Sequence, residues 1–126
     1  KLLMPLERNV NHVGMMYAGA LFALGEVMGG AIFGASFDYR RFFPIFRELQ
    51  IRYLKPAFTD VTLTADISEA QVAEVVAALE AKGKADMALD LELKDAEGAV
   101  VAEVKGIWQG RKLPEGFPVP WPTDEA

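Results

Sequence analysis

The sequence contains a long apolar stretch, Val13–Ala35, in which Tyr17 and Glu26 are the only ionisable residues. A helix that is apolar on every side has to be covered on every side, either by the rest of the protein or by lipid. About 20 apolar residues are enough to cross a membrane, but a glutamate in mid-span costs about 2.5 kcal/mol or more. The residues after this stretch have the pattern of a sheet that can cover the helix. We therefore predict a buried core helix over Tyr17–Phe33 and no membrane association.

The composition narrows the class of protein and the kinds of site it can hold. A chain of 126 residues, 52% of them hydrophobic, fits a single domain over residues 1–126, with 113–126 as an extended proline-rich tail. A net charge of -5 with interspersed signs argues against nucleic acid as a partner. No cysteine is present and His12 is the only histidine, so we expect no disulfide, no metal site and no cofactor. The N-terminal residues lack the pattern of a secretory signal, which favours a cytoplasmic location.

Alternating apolar and polar residues follow the apolar stretch and predict strands with one face toward water. The intervening aromatic segment, Ser36–Phe46, is predicted to be irregular, because Pro44 breaks a helix. Asp95–Gly98 is a turn signal that joins the last two strands in a hairpin, and a further strand over residues 9–15 can precede the helix. The main predicted strands are Leu49–Tyr53, Val61–Ile67, Met87–Leu93 and Val100–Arg111.

A second, amphipathic helix is predicted between the second and third of these strands. Ser68 and Gln71 have the spacing of an N-terminal capping box, and Gly83 lies where a C-terminal cap belongs. The order of elements predicts an α+β fold in which an antiparallel sheet wraps around one long buried helix. Open sheet edges and an incompletely covered helix also predict a partner subunit, in a homodimer or a dimer of dimers (a homotetramer).

This wrapped-helix order resembles the hotdog fold. The local sequence resembles the hotdog acyl-CoA thioesterases of the phenylacetate-pathway and hydroxybenzoyl-CoA types. Those proteins carry an Asn or Gln, then a His-Gly-Gly that opens the long helix, then an Asp or Glu nine residues after the His. Here Asn11 is followed by Tyr17, Ala18 and Gly19, and Glu26 lies nine positions after Tyr17.

The resemblance covers nearly the whole chain, because Tyr53–Pro56 and the last hairpin, which ends near Trp108, also look like the family. It implies hydrolysis of an acyl-CoA thioester to the free acid and CoA. Two residues depart from the family pattern. Ala18 replaces the first Gly, a mild change because the family uses the backbone N–H of that residue, whereas Tyr17 replaces the usual His and bears on substrate choice.

The candidate catalytic residues carried over from the family are Glu26, Asn11 and Ala18. Ala18 N–H, at the start of a buried helix, is placed to stabilise an oxyanion, because first-turn N–H groups are free and lie at the positive end of the dipole. A lone carboxylate in an apolar helix is costly unless it is paired or functional, so Glu26 is interpreted as a general base or nucleophile. The alternatives are a helix start that binds water, a structural Glu26 and a turn-forming Asn11.

The candidate substrate-binding residues are Tyr17, His12 and Gly19, although His12 fits an exposed surface residue and Tyr17 fits packing. Five aromatic residues are candidates for an acyl tunnel or for core packing: Phe37, Tyr39, Phe42, Phe43 and Phe46. Five cationic residues are candidates for the CoA phosphates or for solvated surface charge: Arg40, Arg41, Arg47, Arg52 and Lys55.

The spacing of Ala18 and Glu26 predicts a site shared between subunits. They are eight residues apart, or about 12 Å along one helix axis, too far for both to reach one reacting group. Antiparallel helices of a two-fold dimer bring the start of one beside the middle of the other. Competing functions are a hotdog dehydratase, which usually needs a helix His that is missing here, and a non-catalytic acyl-CoA or lipid-binding protein.

Overall fold

The computed structural model describes residues 1–118, which form one antiparallel sheet and two helices. The sheet has the strand order β1-β3-β4-β5-β2, so β1 and β2 are its edges. It curls around α1 in the hotdog arrangement predicted from the sequence. The elements are β1 (Leu2–Met4), α1 (Ala18–Ser36), β2 (Phe42–Tyr53), β3 (Val61–Leu63), α2 (Glu69–Lys82), β4 (Lys84–Lys94) and β5 (Val100–Lys112).

Helix α1 is apolar all round, but one subunit covers only one of its faces. The covered face consists of Ala20, Leu21, Leu24, Gly25, Met28, Gly29, Ile32 and Phe33. On the other face Phe22 and Val27 are 37% and 51% exposed, so the expected burial on every side is not completed within a single chain. By length and hydropathy α1 is the one helix within residues 1–118 that fits a membrane span. Within the subunit, 44% of its most apolar window is buried.

Strand β2 is longer than predicted, because it begins at Phe42 and takes in Pro44. Pro44 pairs with Gly110 of β5, and β2 is an edge strand, where a residue without an N–H is tolerated. The prediction of an irregular segment up to residue 46 was therefore wrong at its C-terminal end. The pairing with β5 shifts between Phe46 and Glu48, which marks a β-bulge at Arg47.

Helix α2 has the predicted ends. Ser68 and Gln71 form the capping box, with Gln71 N–H 3.1 Å from Ser68 Oγ, and Gly83 adopts a left-handed φ of 77°. The hairpin between β4 and β5 is also confirmed. Strand β3 ends at Leu63, four residues earlier than predicted. Of the proline-rich tail, residues 119–126 lie outside the described residues.

The N-terminal strand lies earlier in the chain than predicted. The first strand is Leu2–Met4, paired with β3, and residues 9–15 form a loop closed by an isolated bridge between Val10 and Met16. In this loop the side chains of Asn9 and Asn11 form hydrogen bonds with nearby backbone groups, and such bonds compete with the ladder of a strand. It leads directly into α1 and therefore positions the start of that helix.

Candidate active site

The start of α1 presents backbone N–H groups that have no intramolecular acceptor. Tyr17 is the N-cap with an extended backbone (φ -73°, ψ 153°), its side chain does not cap the helix, and the first turn carries no acidic residue. Ala20 N–H donates to the Tyr17 carbonyl at 3.1 Å, whereas Ala18 N–H and Gly19 N–H have no acceptor within residues 1–118. Two free donors at the positive end of a helix are suited to bind a carbonyl oxygen or an oxyanion.

Backbone hydrogen bonds hold this helix start against the rest of the fold. Met16 N–H donates to the Ala57 carbonyl at 2.8 Å, and Tyr17 N–H donates to the Asn9 carbonyl at 3.0 Å. Met16 itself is buried in the core. The residues immediately before Ala18 are thus fixed by one loop on each side, which gives the free N–H groups a defined direction.

The Tyr17 ring lies over Gly19, so the departure from the family pattern has a structural consequence. A Cβ added at Gly19 would come within 2.6 Å of Tyr17 Cε2. The ring packs on Gly19, where a larger residue would displace it, and it remains 45% exposed beside the helix start. The Tyr17 hydroxyl has no hydrogen bond within residues 1–118, so its contact in the subunit is made by the ring alone.

Asn11 uses its side-chain carbonyl to shape the loop before α1. Asn11 Oδ1 accepts from Val13 N–H at 2.9 Å and from Met15 N–H at 3.3 Å, and Asn11 N–H donates to the Met15 carbonyl at 2.7 Å. This is the turn-forming behaviour that the sequence left open. The amide Nδ2 has no acceptor among the described residues, so Asn11 retains two donors for water or substrate.

Glu26 lies about two turns into α1 and is half-buried, between the covered and the open face of the helix. Its side chain has no ion pair or hydrogen bond within residues 1–118. Its backbone carbonyl accepts a 3.1 Å hydrogen bond from Trp108 Nε1 of β5. Phe22, one turn earlier, lies beside it on the open face. The subunit thus holds the backbone of Glu26 and leaves its carboxylate for a water, a substrate or a second subunit.

Aromatic rings line the open face next to Glu26. Phe22 meets Phe46 of β2 edge to face with ring centroids 6.4 Å apart, and Phe46 lies 6.2 Å from Trp108. Of the five aromatic residues considered for an acyl tunnel, Phe37 stacks on Phe33 at 4.6 Å and Phe42 is buried in the core. Phe46 is the member of that group that faces α1 beside the candidate site.

Most of the cationic residues considered for CoA phosphates are engaged within the subunit. Arg47 pairs with Asp86 at 2.9 Å, Arg40 pairs with Asp38 at 3.0 Å, and Lys55 lies 3.5 Å from Asp95. Arg41 pairs with Glu80. These four side chains therefore form ion pairs within the isolated subunit. Arg52 is the one member of the group that has no ion pair among the described residues. His12, in the loop before α1, is exposed.

Two grooves in the described part of the molecule lie away from these residues. One, of about 640 Å³, runs between the C-terminal end of α1 and α2 and is lined mostly by aliphatic side chains such as Val72 and Val76. The other, of about 310 Å³, lies between β1 and the C-terminal half of α1. Both are on the side of α1 that ends at Ser36, so the open face near Ala18 and Glu26 is the better candidate site.

Comparison with known proteins places the chain among proteins described as thioesterases. Residues 3–109 match a family model described as "Domain of unknown function (DUF4442)". A crystal structure from Pseudomonas aeruginosa, described as a protein of unknown function and "Probable Thioesterase", is 41% identical. The match covers 88% of this chain and 74% of that chain with a TM-score of 0.84. No curated protein matches the sequence.

More distant structures share the fold. A thioesterase from Staphylococcus aureus, studied as a mutant, is 22% identical over 86% of this chain and 82% of that chain, with a TM-score of 0.69. A Bacillus halodurans protein solved with CoA is 19% identical over 86% of this chain and 64% of that chain, with a TM-score of 0.66.

Proposed function

Because the chain belongs to the DUF4442 family of hotdog-fold, thioesterase-like proteins, we propose that it hydrolyses an acyl-CoA thioester to the free acid and CoA. The observation that carries the proposal is the pair of free N–H groups at Ala18 and Gly19, on the helix that also carries the half-buried Glu26. The Bacillus halodurans relative solved with CoA supports a CoA thioester as the substrate class.

The chemistry follows from these groups. The thioester carbonyl oxygen accepts from Ala18 N–H and Gly19 N–H, which stabilise the negative charge that develops on it. Glu26 takes a proton from a water whose oxygen attacks the carbonyl carbon. The C–S bond then breaks, the acid is released, and the CoA sulfur leaves as a thiolate that is protonated to the thiol. Attack by Glu26 itself, through an anhydride that water then hydrolyses, uses the same residues.

The proposed site is formed by two subunits of a cytoplasmic homodimer. Ala18 and Glu26 are eight residues apart on α1, about 12 Å along the axis, which exceeds the reach of one side chain. The open face of α1, with Phe22 and Val27 exposed, and the free edge of β2 are the surfaces on which a second copy would complete the fold. Asn11 Nδ2, Tyr17 and His12 contribute substrate contacts around the helix start.

The second candidate is an acyl-CoA or lipid-binding protein without catalysis. It is favoured by Tyr17, whose ring occupies the position of the family's histidine and covers Gly19. A hydratase or dehydratase is a weaker candidate, because His12 is exposed in the loop before α1 and α1 contains no histidine.

The test is thiol release from a panel of short-chain, long-chain and aromatic acyl-CoA esters. We expect turnover by the parent protein and a loss of about 10²-fold or more in Glu26→Gln. Glu74→Gln, a change of an exposed glutamate on α2, is the matched control and should behave as the parent. Binding of acyl-CoA without turnover would favour the binding protein, and turnover by Glu26→Gln within a few-fold of the parent would remove Glu26 from the mechanism.

A further inference from the structure

Tyr53 links the sheet to the start of α1 through its hydroxyl group. It is the last residue of β2, and its Oη donates a 3.0 Å hydrogen bond to the backbone carbonyl of Ala18. The two residues are 35 positions apart, so this contact exists only in the folded chain. Ala18 is the first residue of α1, which places the bond on the first peptide of the helix.

The peptide that Tyr53 contacts is the one whose N–H belongs to Gly19. An amide is a planar, conjugated unit in which the carbonyl and the N–H point in opposite directions. A hydrogen bond accepted by the carbonyl draws electron density toward oxygen and strengthens the N–H as a donor, by roughly 10–30% per bond in such chains. The bond at the Ala18 carbonyl therefore both fixes the direction of Gly19 N–H and makes it a better donor.

We propose that Tyr53 is a positioning residue that orients and polarises the Ala18–Gly19 peptide, so that Gly19 N–H serves as a second oxyanion donor beside Ala18 N–H. The inference rests on the proposed thioesterase function. Tyr53 itself does not touch the substrate in this account. Its effect reaches the reacting carbonyl through one peptide unit.

The surroundings of Tyr53 suit this role. Gly19 N–H has no acceptor within residues 1–118, so the polarised donor is available. The loop that follows β2 supplies the Ala57 carbonyl to Met16 N–H at 2.8 Å, so the same end of β2 holds the chain on both sides of Tyr17. Tyr53 is 50% exposed, and desolvation of its covered part raises its pKa above the usual value, so the phenol remains a proton donor through neutral and mildly alkaline pH.

The test compares Tyr53→Phe with the parent in steady-state kinetics and in infrared spectra of bound thioester. Tyr53→Phe keeps the ring and removes the hydroxyl. Losing an oxyanion donor outright costs about 10²–10³ in kcat, so weakening one should lower kcat by about tenfold, with KM within about twofold. The infrared spectra are recorded with Glu26→Gln and with the double variant Tyr53→Phe/Glu26→Gln, because Glu26→Gln slows turnover of the bound thioester. We expect the carbonyl stretch in the double variant to lie closer to its value in water. Thr64→Val, which removes an exposed hydroxyl just after β3, is the control for loss of a hydroxyl group.

The outcomes separate the inference from the function on which it rests. A parent that hydrolyses thioesters, with an equally active Tyr53→Phe, would overturn the role of Tyr53 and leave the function standing. A fall in kcat with an unchanged carbonyl stretch would make Tyr53 a purely structural contact and would also overturn it. A parent inactive on every thioester would overturn both. Circular dichroism and the Tm of each variant establish that the comparison is between folded proteins.

Discussion

Trp108 Nε1 of β5 donates a 3.1 Å hydrogen bond to the backbone carbonyl of Glu26. The indole ring lies directly beneath Gly29, where an added Cβ would collide with the ring atoms. The absence of a side chain at Gly29 lets α1 approach the sheet closely enough for the Trp108–Glu26 bond to form. The backbone of Glu26, the candidate catalytic residue, is therefore held by a tryptophan and a glycine that take no part in the chemistry.

Gly29→Ala should destabilise the protein and lower its activity. The Cβ would force the indole and α1 apart, and overpacking of this kind typically costs 1–3 kcal/mol of unfolding free energy. The Trp108–Glu26 bond should lengthen or break, which displaces Glu26. Gly34→Ala is the matched control, because its Cβ would meet no atom within 4 Å and Ala is favoured over Gly in a helix by up to about 1 kcal/mol. Equal stability of the two variants in chemical denaturation would contradict this account.

The part of the fold that depends on local pattern could be predicted from the sequence. Helix α2 has the predicted capping box and Gly83 cap because both signals lie within a few residues of the helix ends. Pro44 was misjudged because its place in β2 depends on pairing with Gly110, far along the chain, and on β2 being an edge. Likewise, an incompletely covered helix was predicted, but which face of α1 is open could not be read from a helix that is apolar on every side.

The candidate site, like the fold, could be predicted only in part from the sequence. Ala18 and Glu26 were carried over from the motif of the family that the sequence resembles, and the helix start does carry free N–H groups. The bonds that position them, from Tyr53 to Ala18 and from Trp108 to Glu26, join residues 35 and 82 positions apart. Contacts between residues so far apart leave no local pattern in the sequence from which they could be predicted. In the sequence Tyr53 and Trp108 served only as marks of family resemblance.

Tyr17→Phe should change kcat by less than about tenfold, since its hydroxyl has no partner within residues 1–118 and its ring makes the contact with Gly19. Tyr17→Ala, which uncovers Gly19, should alter the order of preference among acyl-CoA substrates more than Tyr17→Phe does. Steady-state kinetics on both variants provides the measurement. A large fall in kcat for Tyr17→Phe with an unchanged KM would show that the hydroxyl acts in the transition state.

The β4–β5 hairpin should contribute a stability that depends on pH through Asp95. Its Oδ1 accepts from Ala99 N–H at 2.9 Å and from Glu97 N–H at 3.0 Å. The bond from Ala99 above all, then that from Glu97 and the nearby charge of Lys55, lowers the pKa of Asp95. A lowered folded-state pKa stabilises the fold above the unfolded value, near 3.9, and this stabilisation is lost as pH falls through the folded value.

The corresponding measurement is the unfolding free energy of the parent and of Asp95→Asn between about pH 7 and pH 2. We expect the parent to be the more stable of the two above about pH 4 and the difference to shrink at lower pH. Asp66→Asn removes the same unit of charge from an exposed position and serves as the control. A difference between parent and Asp95→Asn that stays constant down to pH 2 would contradict the role assigned to Asp95.

The prediction that the site is shared between two subunits can be tested with two substitutions, each of which removes one functional group. Ala18→Pro replaces one N–H by a ring carbon without straining the backbone, because proline suits the first position of a helix and the extended backbone of Tyr17 (φ -73°, ψ 153°) suits a residue before proline. That N–H has no acceptor within residues 1–118, so no intramolecular bond is lost. Glu26→Gln removes the carboxylate and keeps its shape. Each homodimer should be nearly inactive.

Thiol release after mixing and refolding the two variants shows whether Ala18 of one subunit works with Glu26 of the other. In a two-fold dimer, each heterodimer then holds one site with both parent residues and one with both lesions. Random exchange should restore about a quarter of the parent activity, since about half of the dimers are mixed and each has one good site. No recovery after exchange has been confirmed by native mass spectrometry would contradict the shared site.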